Sequence, residues 1–131
     1  MEISRSEIIE KVKSYSSGKK EVIMSFLFGS YASGNYCKES DIDVAVFLSK
    51  EGNDLEIEIQ NELEKLLAKE TDVVFLNRSP ATLSWNILRK GIPIEIKNRK
   101  TYLNLMLDVS SEAEDFQEFN LDAWRMKNGN G

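Results

Sequence analysis

An apolar run from Val22 to Phe28 leads into Gly29-Ser30, and ten residues later Asp41-x-Asp43 enters a second apolar run. No other feature constrains the chain as tightly. In a strand, side chains alternate faces, so Asp41 and Asp43 project from one face while Ile42 and Val44 point to the other. Two carboxylates that close repel each other unless a cation lies between them. Small hard cations such as Mg2+ take oxygen ligands, usually one or two carboxylates plus substrate phosphates. The Gly-Ser turn offers the complementary part, a helix start whose amides hold phosphate oxygens. Phosphate holder plus metal holder is the minimum kit for phosphoryl or nucleotidyl chemistry.

Composition removes much else. There is no histidine, which excludes Ser-His-Asp and Cys-His hydrolases and His-ligated zinc sites. Acid–base or metal chemistry must therefore rest on carboxylates, Lys, Tyr or the single cysteine, Cys37. One cysteine permits no internal disulfide and suits a reducing compartment. A formal charge of −5 and a pI near 4.9 argue against a long nucleic-acid partner, whose affinity draws on phosphate neutralisation. No apolar stretch approaches the roughly 18–20 residues of a membrane span. Met1-Glu2-Ile3-Ser4-Arg5 lacks the apolar segment of a signal peptide, so a cytoplasmic location is the default. At 131 residues the expectation is a single domain over 1–125, with 126–131 a disordered tail.

Strands and helices alternate. Ser4-x-x-Glu7 is a capping-box pattern ahead of a helix carrying Ile8, Val12 and Tyr15 and ending at Gly18. Val22–Phe28 reads as a buried strand interrupted only by Ser25, Ser30–Gly34 as one helical turn, and Ile42–Leu48 as a second strand. Glu51-Gly52-Asn53-Asp54 breaks that strand and caps a helix with Leu55, Ile59, Leu63, Leu66 and Leu67 at amphipathic spacing. Asp72–Leu76 is a third strand. Ser79-Pro80 starts a helix, with Pro at its first position and Gly91 past its end. Ile92–Ile96 is a fourth strand, placed at an edge by Pro93, and a helix follows from about 100 to 119. The pattern predicts an α/β (α+β) domain, a small mixed sheet of three to four strands flanked by helices.

Taken alone, Gly29-Ser30 is an ordinary strand-to-helix turn, and Asp41-x-Asp43 a polar strand mouth. Gly29-x-x-x-x-Gly34 mimics half a P-loop, but Asn35-Tyr36 stands where Lys-Ser/Thr is required. Other residues have structural readings. Arg89 and Lys90 end a helix, where cations suit the dipole. Lys97-Asn98-Arg99-Lys100 is a solvated loop, Cys37 an inert thiol, and Trp85 and Trp124 packing residues.

Gly29-Ser30, ten residues, then Asp41-x-Asp43 resembles the signature of the minimal nucleotidyltransferases of the DNA polymerase beta-like superfamily. Within it the chain is most similar to the MNT-type antitoxins that pair with HEPN toxins. Asp72 in Thr71-Asp72-Val73-Val74-Phe75-Leu76 matches their third carboxylate. Ser79-Pro80-Ala81-Thr82-Leu83 and Leu88–Ile94 are similar too, so the resemblance covers roughly residues 20–100. Where these antitoxins often carry an arginine after Gly-Ser, this chain has Tyr31-Ala32-Ser33.

The resemblance implies a nucleotidyltransferase fold and two-metal transfer of NMP, AMP from ATP, to a hydroxyl. Asp41 and Asp43 would hold two Mg2+ ions, and Asp72 would complete the site and help accept the proton. Ser30 and the amides at 29–30 would hold the β- and γ-phosphates. The implied acceptor is a HEPN-type toxin, which makes the chain its antitoxin. Two alternatives stay open: a module that masks its partner with weak catalysis, and a transferase acting on a small molecule such as an aminoglycoside. A homo-oligomer is also compatible with the sequence.

Overall fold

The computed structural model describes residues 3–113. The element order is α1 (Arg5–Gly18), β1 (Val22–Phe28), α2 (Ser30–Ser33), β2 (Ile42–Leu48), α3 (Asn53–Leu67), β3 (Thr71–Phe75), α4 (Ala81–Lys90), β4 (Ile92–Ile96) and α5 (Arg99–Ala113). The strands form one mixed sheet in the order β3-β2-β1-β4. Strand β1 is antiparallel to β2 and β4, and β2 is parallel to β3. The expected α/β architecture is therefore present, with Pro93 on the edge strand β4.

Both faces of the sheet are covered. Ile42, Val44, Val46 and Leu48 of β2 pack against Ile8 and Val12 of α1 and Ile59 and Leu63 of α3. Met24, Phe26, Phe28 and Ala45 pack on the opposite face against Leu83, Ile87 and Leu88 of α4 and Val109 of α5. Strands buried on both faces read as continuous apolar runs, which is what β1 and β2 show. Ser25, the interruption in β1, is fully buried and accepts a hydrogen bond from Ser16 of α1 at 2.8 Å. A buried hydroxyl pair of this kind avoids the cost of an unmet polar group.

Several element ends differ from expectation. Ser4 caps α1 by accepting the Glu7 amide at 3.2 Å, but the Glu7 carboxylate pairs with Lys11 at 3.4 Å instead of closing the capping box. Within the expected stretch Glu51–Asp54, Gly52 stands at the N-cap of α3, and Asp54 lies in the first turn, where a negative charge suits the dipole. Pro80 is the N-cap of α4 and not its first helical residue, with ψ 146. Arg99 and Lys100 open α5, and the Asn98 side chain accepts the Thr101 amide at 3.0 Å. The rest of the helix expected to reach 119, together with Trp124 and the tail at 126–131, lies outside the described residues.

The sheet is extended past β3 by one side chain. Asn77 accepts the Leu48 amide at 2.8 Å and donates to the Leu48 carbonyl at 2.9 Å, so its carboxamide takes the place of a strand residue.

Candidate active site

Register places the motif residues. Phe28 of β1 lies opposite Asp43 of β2, and Asp43 lies beside Asp72 of β3. One row therefore crosses three strands at the sheet edge where β1 ends and β2 and β3 begin. Neighbouring strands are about 4.8 Å apart, so the two aspartates stand side by side, both on the face of Ala45. Asp43 is buried, at 3% exposure, while Asp41, just before β2, and Asp72 are half-buried. A carboxylate is buried this deeply only where partners compensate its desolvation, which makes Asp43 a candidate site residue.

Gly29 closes on this carboxylate. A Cβ at Gly29 would lie 2.1 Å from Asp43 Oδ2, and the backbone there has φ 75 and ψ −151, a region open essentially to glycine alone. The turn after β1 is thus glycine for two reasons, space and backbone. Ser30 begins the single turn α2, whose Tyr31 is buried in the core and stacks on Tyr36 at 4.3 Å. At the place where the similar antitoxins often carry an arginine, Tyr31 is thus a packing residue. Arg5 reaches this turn from α1, its guanidinium donating to the carbonyls of Tyr31 at 3.5 Å and Ala32 at 3.3 Å.

The chemistry of the donors suits a hard cation: carboxylate oxygens favour Mg2+ or Ca2+ over zinc or copper. Among the described residues no three such side chains converge into a ready-made cage. The structure brings Asp43 and Asp72 together and leaves Asp41 at the rim. That arrangement still fits Mg2+, which keeps several waters and is bound through one or two carboxylates plus substrate phosphates.

A cavity of about 270 Å3 opens beside this edge, with Gly29 and Ser33 on one wall and Asn86 and Lys90 of α4 on the other. A slightly larger one, of about 290 Å3, lies by Ser4, Tyr31 and Lys38, and the motif aspartates do not line it. Lys90, read as a cation at the helix end, and Asn86, to which no motif points, are linked in the sequence only by their four-residue spacing. Arg89, read in the same way, lies over the Trp85 ring at 5.6 Å. Cys37 is exposed in the loop between the motif halves.

Residues 10–102 match the family model for polymerase beta nucleotidyltransferases. The chain belongs to this family. The match spans the row Phe28, Asp43, Asp72 and the whole sheet. No curated protein sequence matches the nucleotidyltransferase significantly. A solved toxin–antitoxin structure with AMP-PNP is 21% identical, covers 95% of this chain and 94% of its own, and superposes with a TM-score of 0.69. The tri-AMPylated Shewanella oneidensis HEPN toxin in complex with its MNT antitoxin gives 19%, 94%, 93% and 0.67. An MntA–HepT toxin–antitoxin gives 19%, 94%, 91% and 0.61. Likeness at these identities shows that the nucleotidyltransferase shares their fold. Among the described residues no helix is long and apolar enough to cross a membrane.

Proposed function

We propose that this nucleotidyltransferase moves AMP from ATP to a hydroxyl of a HEPN-type toxin and so acts as its cytoplasmic antitoxin. The observation that carries the reading is the row in which Asp43, packed under Gly29, stands beside Asp72. The solved structures of similar fold supply the acceptor class, since one holds an AMPylated HEPN toxin with an MNT antitoxin and another holds AMP-PNP.

Asp41, Asp43 and Asp72 would hold two Mg2+ ions, which when bound neutralise the triphosphate and stabilise the entering and leaving oxygens of an in-line displacement. The Ser30 hydroxyl and the amides at 29–30 grip the β- and γ-phosphates and orient the α-phosphorus toward the acceptor. The acceptor oxygen forms a bond to that phosphorus, and the bond to the oxygen bridging the β-phosphate breaks. Pyrophosphate leaves with the electron pair. Asp72, half-buried at the mouth, takes the hydroxyl proton. No histidine is required.

Incubation with the protein encoded beside it and with ATP labelled at the α- or the γ-phosphate tests the reading. Label from the α-phosphate alone on the partner is expected. Transfer of the γ-label would make the chain a kinase and end the proposal.

A further inference from the structure

We propose that Asn86 and Lys90 bind the β- and γ-phosphates from the wall opposite Gly29, so that Lys90 takes up the charge of the departing pyrophosphate; this rests on the transfer reading above and adds to it the residues that hold the leaving group.

Four residues apart on α4, Asn86 and Lys90 share a helix face, and that face lines the cavity of about 270 Å3 whose other wall is Gly29 and Ser33. The backbone holds them there. A Cβ at Gly91 would lie 2.6 Å from the Ile87 carbonyl oxygen and 3.1 Å from that of Leu27. The end of α4 is thereby pressed against the end of β1, two residues before Gly29. Neither side chain is committed elsewhere: among the described residues the Asn86 carboxamide and the Lys90 ammonium make no hydrogen bond or ion pair.

The polarity of the cavity is one-sided. Its described lining offers the Ser33 hydroxyl, the Asn86 carboxamide, the Lys90 ammonium and main-chain groups, and no carboxylate. Asp43 lies instead where the Gly29 Cβ would be. A single glycine therefore separates a donor-lined cavity from a carboxylate face. A polyphosphate crossing it meets carboxylates at its α-phosphate and donors at its far end. Small-molecule pockets span about 300–1,000 Å3, so this space takes a diphosphate tail and not a whole nucleotide. The last carbonyls of α4 carry about half a negative charge and repel an anion. The full positive charge of Lys90 reverses that sign. During transfer Lys90 donates hydrogen bonds to the pyrophosphate and keeps its proton.

Titration calorimetry of the full chain with ATP, AMP and inorganic pyrophosphate in Mg2+ buffer tests this. Lys90→Met should weaken ATP and pyrophosphate about tenfold, the worth of one charge-assisted hydrogen bond, and leave AMP unchanged. Lys90→Arg should restore affinity to within about threefold, and Asn86→Ala should follow Lys90→Met in kind. Lys90 is exposed, and equal melting temperatures would show that the variants fold. Unchanged ATP affinity in Lys90→Met, or equal losses for ATP and AMP, would overturn the inference while the transfer reading stands. A wild-type chain that binds no ATP would remove both.

Discussion

Gly29 leaves no room for a methyl group against Asp43, whose Oδ2 would lie 2.1 Å from it. Gly29→Ala therefore suffers twice. The backbone at φ 75 and ψ −151 costs an alanine about 1–3 kcal/mol, and the carboxylate must shift. Displacement of a catalytic group by about an ångström lowers rates on the order of a hundredfold. Melting should fall by several degrees, and turnover should drop even at temperatures where the variant is fully folded. Wild-type turnover in folded Gly29→Ala would show that this contact does not position Asp43.

Asp43 and Asp72 stand in register on adjacent parallel strands, so they act as one unit. Asp43→Asn and Asp72→Asn should each slow transfer by at least about a hundredfold, since several kcal/mol of transition-state stabilisation passes through such ligands. The double variant should be little slower than the worse single one, because coupled groups do not add. Additive losses in single-turnover kinetics would separate the two residues.

Asn77 holds both backbone groups of Leu48. Asn77→Ala leaves a strand-end donor and acceptor without it and should cost about 1–3 kcal/mol in urea unfolding. Asn77→Asp keeps the acceptor alone and should fall between. Turnover of the folded variants should match wild type, since Asn77 lies at the end of β3 away from Asp72.

Acid should loosen the contact between α1 and α3. The Tyr15 hydroxyl, donating to Glu62 at 2.6 Å, is the main cause that holds the Glu62 carboxyl below its ordinary value, and Lys19 at 3.0 Å adds to it. Glu95 is lowered likewise, first by the Ser17 hydroxyl at 2.6 Å. A pKa depressed by folding gives stability that is present above the unfolded value, here 4.5, and lost as pH falls through the folded one. Melting temperature should thus decline below about pH 4.5, with a shallower slope in Glu62→Gln. The Glu62 side chain is 43% exposed, which keeps its share under about 1 kcal/mol. Identical slopes in the two proteins would remove Glu62 from the account. Lys19 is shifted the opposite way, upward, chiefly by its hydrogen bond to Glu58, so its contribution fades only at strongly alkaline pH.

Much of the fold was legible because its signals are local. Apolar runs, Pro93, Gly91 and the Ser4 cap each mark an element end through chemistry within a few residues. The pairing of β1 between β2 and β4 was not legible, because strand order is set by contacts distant in sequence. The site divides in the same way. Gly29, Ser30, Asp41 and Asp43 lie within one short stretch and could be read together, and Asp72 entered through the resemblance. The approach of Gly29 to Asp43, and of Lys90 to the cavity beside it, depends on how the ends of β1 and α4 meet. Tyr31 stands where related antitoxins often carry an arginine, and its burial in the core depends on packing that no local signal in the motif announces.

The most direct test of the central claim is the intact mass of the proposed HEPN-type partner, the protein encoded beside this one, after incubation with ATP and Mg2+, alone, with the wild-type chain and with its Asp43→Asn variant. The account predicts a partner heavier by one or more AMP units with the wild-type chain only, and neutralised in step with that gain. A partner neutralised without any gain in mass, or modified equally by Asp43→Asn, would contradict it.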